Sequence, residues 1–263
     1  MIIYRRIFGN IDSQIKKEKL ESIFNTKFEA GYFSKDIDQN SLEYANLLPF
    51  LKSLNLDDGI IGTEFTKEEI LNAEILHFTG GRTFSYPEPQ EPVFLNNTYL
   101  DCCNTCGSHG IQKEDFVIKK DPKHNTISLG KLHWVFDELF IGTEISRNFF
   151  LKQLNLSERP VKISKKNKNA DSVAQLEINE IDEELNMNGS VFTRCPVCNI
   201  SIYTPTTTGF FPSPKNKNFD IIKTREFFGS GHSARHRILV SNGVMQQMIR
   251  LKIAKQHQFV PCK

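Results

Sequence analysis

The 263-residue chain lacks the long hydrophobic run of about 20 apolar residues that a membrane-spanning helix requires. Its start, MIIYRRIFGNIDSQ, also lacks the apolar stretch of a secretory signal. Both absences predict a soluble, cytoplasmic protein. Net charge is nearly absent too: 33 basic against 31 acidic side chains leave +2. No whole-chain field therefore draws it to nucleic acid or an anionic membrane, and any such partner needs a local patch. Catalytic signatures are missing: there is no GxSxG elbow, no P-loop and no HExxH. The GSGHS run at Gly229 to Ser233 leads into RHR rather than a phosphate-binding helix, so it reads as a loop whose His232 and His236 are solvated. Likewise, His133 beside Trp134 reads as packing. Tryptophan is scarce, at one residue, but phenylalanine is abundant at 21, and with 39% hydrophobic residues the chain has ample material for a core. Phe210 and Phe211, in GFFPSP, are candidates for exposed partner anchors.

Cysteine is too sparse, at six residues, for a disulfide framework, yet four of the six form two Cys-x-x-Cys pairs. Cys103 and Cys106 stand in CNTCG, Cys195 and Cys198 in CPVCN. Two thiolates at this spacing ligate one metal from a tight turn, and Gly107 or Asn199 directly after suits the left-handed backbone such a turn needs. The two turns together supply the four sulfurs of a closed, structural zinc site. The 88 residues between the pairs exceed the spacing of a compact zinc ribbon. A redox Cys-x-x-Cys wants a helix start directly behind it, which neither CGSHG nor CNISIYTP provides. Two independent sites completed by His109 or His124 are the other arrangement. Cys102 and Cys262 have no such spacing and read as inert thiols.

Local signals place strands and helices in an irregular mixture, which predicts an α+β fold. A strand is expected around Ile2 to Ile7, a helix over Gln14 to Phe24 after an Asp12 cap, and a helix interrupted at Pro49 around Leu42 to Leu54. IIGTEFTKEEIL from Ile60 resembles FIGTEISRNFFL from Phe140, with a looser relative at RILVSNGVMQQMI from Arg237. Caps at Thr66, Ser146 and Ser241 would start three helices, each followed by a short strand: ILHF, VKI and QFV. The pattern predicts strand-helix-strand units and an internal duplication clamped by the four cysteines. The three prolines of RTFSYPEPQEPVF read as an extended connection, and a boundary near Asn97 divides an N-terminal region, 1–97, from a double-knuckle region, 98–263. Within the latter, a basic cluster (ISKKNKN) gives way to an acidic one (EINEIDEEL), predicting a polar connection near 164–190.

The two knuckles and the tail, FDIIKTREFF followed by RILVSNGVMQQMIRLKIAKQHQFVPC, resemble the double-CXXCG motif family of immunity proteins of bacterial polymorphic-toxin systems. The resemblance runs from Tyr99 to Lys263. By position, Cys103, Cys106, Gly107, Cys195 and Cys198 are its motif residues, and Asn199 stands where the family has a second glycine. It implies a non-enzymatic protein that binds and neutralises a cognate toxin. For a toxin that attacks nucleic acid the complementary surface would be acidic, which nominates Glu177, Glu180, Asp182, Glu183 and Glu184. The alternative is a zinc-ribbon-like nucleic-acid-binding protein. From Lys223 to Lys263 there are eight Lys or Arg against Glu226 alone, and a basic strip beside zinc knuckles can track phosphates.

Overall fold

A computed structural model describes residues 1–90, 93–166, 168–206 and 208–263. Helices and strands are mixed along the chain without regular alternation, an α+β architecture, and two compact units form. The first comprises Met1–Glu69 with Thr206–Phe210, the second Ile70–Pro205 with Phe211–Lys263. The division falls at Glu69/Ile70, not at the boundary expected near Asn97.

In the first unit β1 (Ile2–Ile11) lies between β2 (Gly31–Asp38) and β3 (Asp57–Glu64), antiparallel to both. Helices α1 (Gln14–Phe24) and α2 (Leu42–Leu47) supply Leu20, Phe24 and Leu47 to a core with Ile7, Ile11 and Phe33. The cap of α1 is Ser13, whose hydroxyl accepts from the Lys16 N–H at 3.3 Å, rather than Asp12. Both residue types cap well; the extended backbone at Ser13 decides. Proline ends α2 as expected, Pro49 opening a 3₁₀ turn over Leu48–Phe50. Thr66 and Glu69 close a reciprocal capping box at the start of α3 (Lys67–Asn72).

The second unit contains β4 (Ile75–Phe78), β5 (Arg82–Ser85), α4 (Val93–Thr98), β6 (Val117–Ile118), β7 (Gly130–Leu132), β8 (Val135–Ile141), α5 (Glu144–Arg147), β9 (Ser157–Ile163) and β10 (Lys168–Glu177). After these come β11 (Phe192–Arg194), β12 (Ser201–Tyr203), β13 (Ile221–Lys223), β14 (Phe227–Phe228), β15 (Ile238–Ser241), α6 (Asn242–Arg250) and β16 (Phe259–Pro261). They form sheets of order β5-β7-β8-β10-β9-β6, β11-β12-β14 and β13-β15-β4-β16. Much of the expected polar connection is therefore β10, an inner strand buried from Ser172 to Leu176. A half-buried strand is what Leu176 and Ile178, alternating with polar residues, lead one to expect, but the unbroken burial from Ser172 to Leu176 makes it an inner strand enclosed on both faces.

Two of these sheets share a plan. In β7-β8-β10-β9 and in β13-β15-β4-β16 every neighbouring pair is antiparallel. In each, a helix (α5 or α6) joins two parallel strands separated by one antiparallel strand. That inner strand is β10 in the first case, directly after β9, but β4 in the second, from far upstream. The stretch around Thr66 does not share the plan, since β3 and β4 lie in different sheets. Ser241 caps α6 as expected. The second cap is Thr143, not Ser146: the Thr143 hydroxyl accepts from the Ser146 N–H at 3.2 Å, and Ser146 lies buried inside the helical turn.

Candidate metal centre

The first knuckle occupies the long connection between α4 and β6, and the second is the tip of the β11–β12 hairpin, where Arg194 pairs with Ser201. Their backbones repeat each other. The Gly107 N–H donates to the Cys103 carbonyl at 2.8 Å and the Cys103 N–H to the Ser108 carbonyl at 2.9 Å; in the second turn, Asn199 donates to Cys195 and Cys195 to Ile200, both at 3.0 Å. Gly107 and Asn199 both adopt the left-handed backbone, with φ of 74° and 60°. The sulfurs meet: Cys103 and Cys195 are 3.7 Å apart, Cys106 and Cys198 3.6 Å, and all four lie within 4.8 Å of one another. A tetrahedron of sulfurs about 2.3 Å from a central zinc has edges of about 3.8 Å, so the cluster fits a single four-coordinate ion. Four such thiols could hold a metal ion; among the described residues no histidine, neither His109 nor His124, joins them.

Electrostatics prepare the leading sulfur of each turn for the thiolate form. Burial opposes ionisation of Cys103, but the backbone N–H groups of Cys106 and Thr105 point at its sulfur and bring the thiol down to about 6. The N–H groups of Cys198 and Val197 likewise lower Cys195. Cys106 is pushed up, first by burial and then by the neighbouring sulfurs. The Ser108 hydroxyl lies 3.1 Å from Cys106 Sγ and 3.6 Å from Cys198 Sγ, placed to donate to thiolates. Ile202, Phe227 and Ala234 pack around the cluster. Cys102 is a half-buried thiol against the Leu95 carbonyl, and Cys262 is held up by burial.

A buried arginine braces the first knuckle. Arg235 reaches the carbonyls of Gly107 at 2.9 Å, Ala234 at 2.8 Å, and Trp134 and His232 at 3.2 Å. A side chain at Gly107 would put its Cβ 2.2 Å from the His232 carbonyl oxygen. Three residues beyond Cys106, buried His109 sets Nδ1 at 3.2 Å from the Gly107 carbonyl and Nε2 at 3.3 Å from Asp137. Although burial opposes it, the hydrogen bond from His109 and the nearby charge of Arg235 hold Asp137 well below the usual carboxylate range.

Beside His109 opens a cleft of about 330 Å³ that sequence reasoning missed. Tyr99, Glu138, Gln175 and His236, all buried, line it with Lys223 and Glu180. His236 is thus interior rather than solvated. The adjacent acids Asp137 and Glu138 inside the otherwise apolar VFDELFI were the legible signal, because carboxylates rarely enter a core strand without a task. The acidic run is dispersed: Glu177 pairs with Arg159 at 3.3 Å, Glu180 lines the cleft, and Asp182, Glu183 and Glu184 are exposed. Phe211 is buried against Phe228 and His77, and half-buried Phe210 packs on Phe65, so neither is a free anchor. The basic tail is not a continuous strip either. Lys223 bonds Glu138 at 2.5 Å, Arg235 is fully enclosed, and Arg237 lies over the Phe228 ring. His133 stacks on Tyr86 at 3.9 Å, the packing role expected of it.

Comparison with protein-family models, curated proteins and solved structures finds no match to this chain. No helix among the described residues is long and apolar enough to cross a membrane.

Proposed function

We propose that the four cysteines hold one structural zinc and that the chain is a non-enzymatic immunity protein of the double-CXXCG kind, which neutralises a cognate bacterial toxin by covering it. The observation that carries this reading is the use of both paired-cysteine turns in one closed four-sulfur cluster. With every position taken by sulfur, the metal has no place for water or substrate, so it stabilises rather than catalyses. Zinc fits the sulfur spacing, the all-thiol donor set and the thiolate-favouring turns. The shared plan of the two four-stranded arrangements, whose crossover helices each follow one knuckle in the chain, supports a duplicated ancestor whose second copy uses β4 as its inner strand. The nucleic-acid alternative loses support, because Lys223, Arg235 and Arg237 are engaged inside the fold.

Co-expression tests the function. The toxin gene adjacent to this reading frame, induced in a susceptible host, should arrest growth without this protein and spare cells that make it. Charge reversal at Asp182, Glu183 and Glu184 should slow toxin association more than it speeds dissociation, since peripheral charges act on encounter. No protection, together with nucleic-acid binding that weakens steeply with salt, would overturn the reading.

A further inference from the structure

We infer that the cleft floored by His109 and Tyr99 is a receptor for the guanidinium or ammonium end of a basic side chain presented by a protein partner, seated between His236 and Glu180. The protein source of that cation rests on the function proposed above; the cation chemistry rests on the cleft alone. Its volume of about 330 Å³ is too small for an element of structure and lies near the lower end of the roughly 300 to 1,000 Å³ of ligand pockets.

Most of its polar lining is already satisfied. Glu138 accepts from Tyr99 Oη at 3.2 Å, Gln175 Nε2 at 2.9 Å and Lys223 Nζ at 2.5 Å. Gln175 and Gln112 exchange a reciprocal amide pair at 2.7 and 2.9 Å. Glu177 holds Arg159. What remains is His236 and Glu180. His236 is buried, with Nε2 3.9 Å from Glu180 Oε2, too far for a direct hydrogen bond but spanned by one donor nitrogen at about 2.9 Å from each. Its Nδ1 is enclosed without a hydrogen-bond partner among the described residues, so nothing in the fold commits Nε2 to donating. Burial holds the imidazole down to about 4, keeping it neutral and able to accept.

Charge and shape select a cation. Both lining cations, Arg159 and Lys223, pair with Glu177 and Glu138, and among the described residues Glu180 makes no ion pair with Arg or Lys, although Lys223 and Arg225 act on it at longer range. Burial raises the Glu180 carboxyl, a cost that an incoming cation relieves. The rings of Tyr99 and His109, 3.9 Å apart, offer an aromatic wall, which also favours a cation. At the mouth stands Ile111, largely exposed, suited to the alkyl stem of Arg or Lys.

The test is an NMR titration of the intact zinc-loaded protein with Nα-acetyl-arginine amide and Nα-acetyl-lysine amide, the neutral citrulline analogue, and agmatine as a free amine. Saturable shifts of the Gly110, Asn179 and Glu180 amides with the two cationic amides but not with citrulline are expected. Glu180→Gln should weaken binding about tenfold or more, as loss of a charge-assisted contact implies, while exposed Glu29→Gln leaves it unchanged. No saturable shift, equal binding of citrulline, or an unaffected Glu180→Gln overturns the assignment. Agmatine binding far more tightly than the acetylated amides reassigns the cleft to a small free amine and overturns the protein source. Since no toxin is present, cation binding without cellular protection counts against the immunity reading alone, and protection without cation binding counts against the cleft alone.

Discussion

At the residue scale the two knuckles make an internal control. Gly107 and Asn199 hold the same left-handed backbone, but only Gly107 has a carbonyl oxygen where its Cβ would stand. Gly107→Ala should therefore cost about 2 to 4 kcal/mol in urea unfolding, whereas Asn199→Gly should stay within about 1 kcal/mol of the parent. Equal effects would mean that the turn conformation, and not the close approach to the His232 loop, sets the requirement. Lys131 offers a second test. Burial, reinforced by the charge of Arg237, holds its ammonium down to about 8, against an ordinary 10.5. Below pH 8 the folded protein carries a buried charge that the unfolded chain solvates. Between about 8 and 10.5 the unfolded state binds more protons, so this group's contribution to stability rises with pH there. Lys131→Met should stabilise by about 2 to 3 kcal/mol at neutral pH, and the gain should shrink by about pH 9.5; a gain independent of pH would show that packing, not charge, is responsible.

At the element scale β4 is decisive. Leu76 and Phe78 are almost wholly enclosed, and the strand pairs with β15 on one side and β16 on the other, more than 150 residues downstream. A fragment starting at Ile70 should fold and retain metal. One starting at Thr98, near the boundary expected from composition, lacks the inner strand and should show no cooperative thermal transition by circular dichroism. If the shorter fragment melts cooperatively, β4 is dispensable and the division at Glu69/Ile70 has no energetic meaning. The contrast shows what the sequence carries. Cys-x-x-Cys pairs are legible because metal chemistry demands that spacing; ILHF is legible as a strand because its neighbours in the chain say so. Which strands it pairs with depends on contacts remote in sequence, which periodicity does not encode. Cap positions slipped, from Asp12 to Ser13 and from Ser146 to Thr143, because several adjacent residues can cap and local backbone chooses among them. The cleft stayed hidden because its lining comes from Tyr99, Glu138, Gln175, Lys223 and His236, none in a motif.

At the scale of the whole molecule the cysteine cluster brings together two chain segments separated by 88 residues, so a metal held there would tie distant parts of the second unit to each other. Metal binding of this type is linked to folding. The measurement that tests it most directly is zinc K-edge X-ray absorption on protein purified without chelator. The account predicts one equivalent of zinc per chain with a single shell of four sulfurs at about 2.3 Å. A shell containing nitrogen or oxygen, or substoichiometric zinc with free Cys103, Cys106, Cys195 and Cys198, would contradict it.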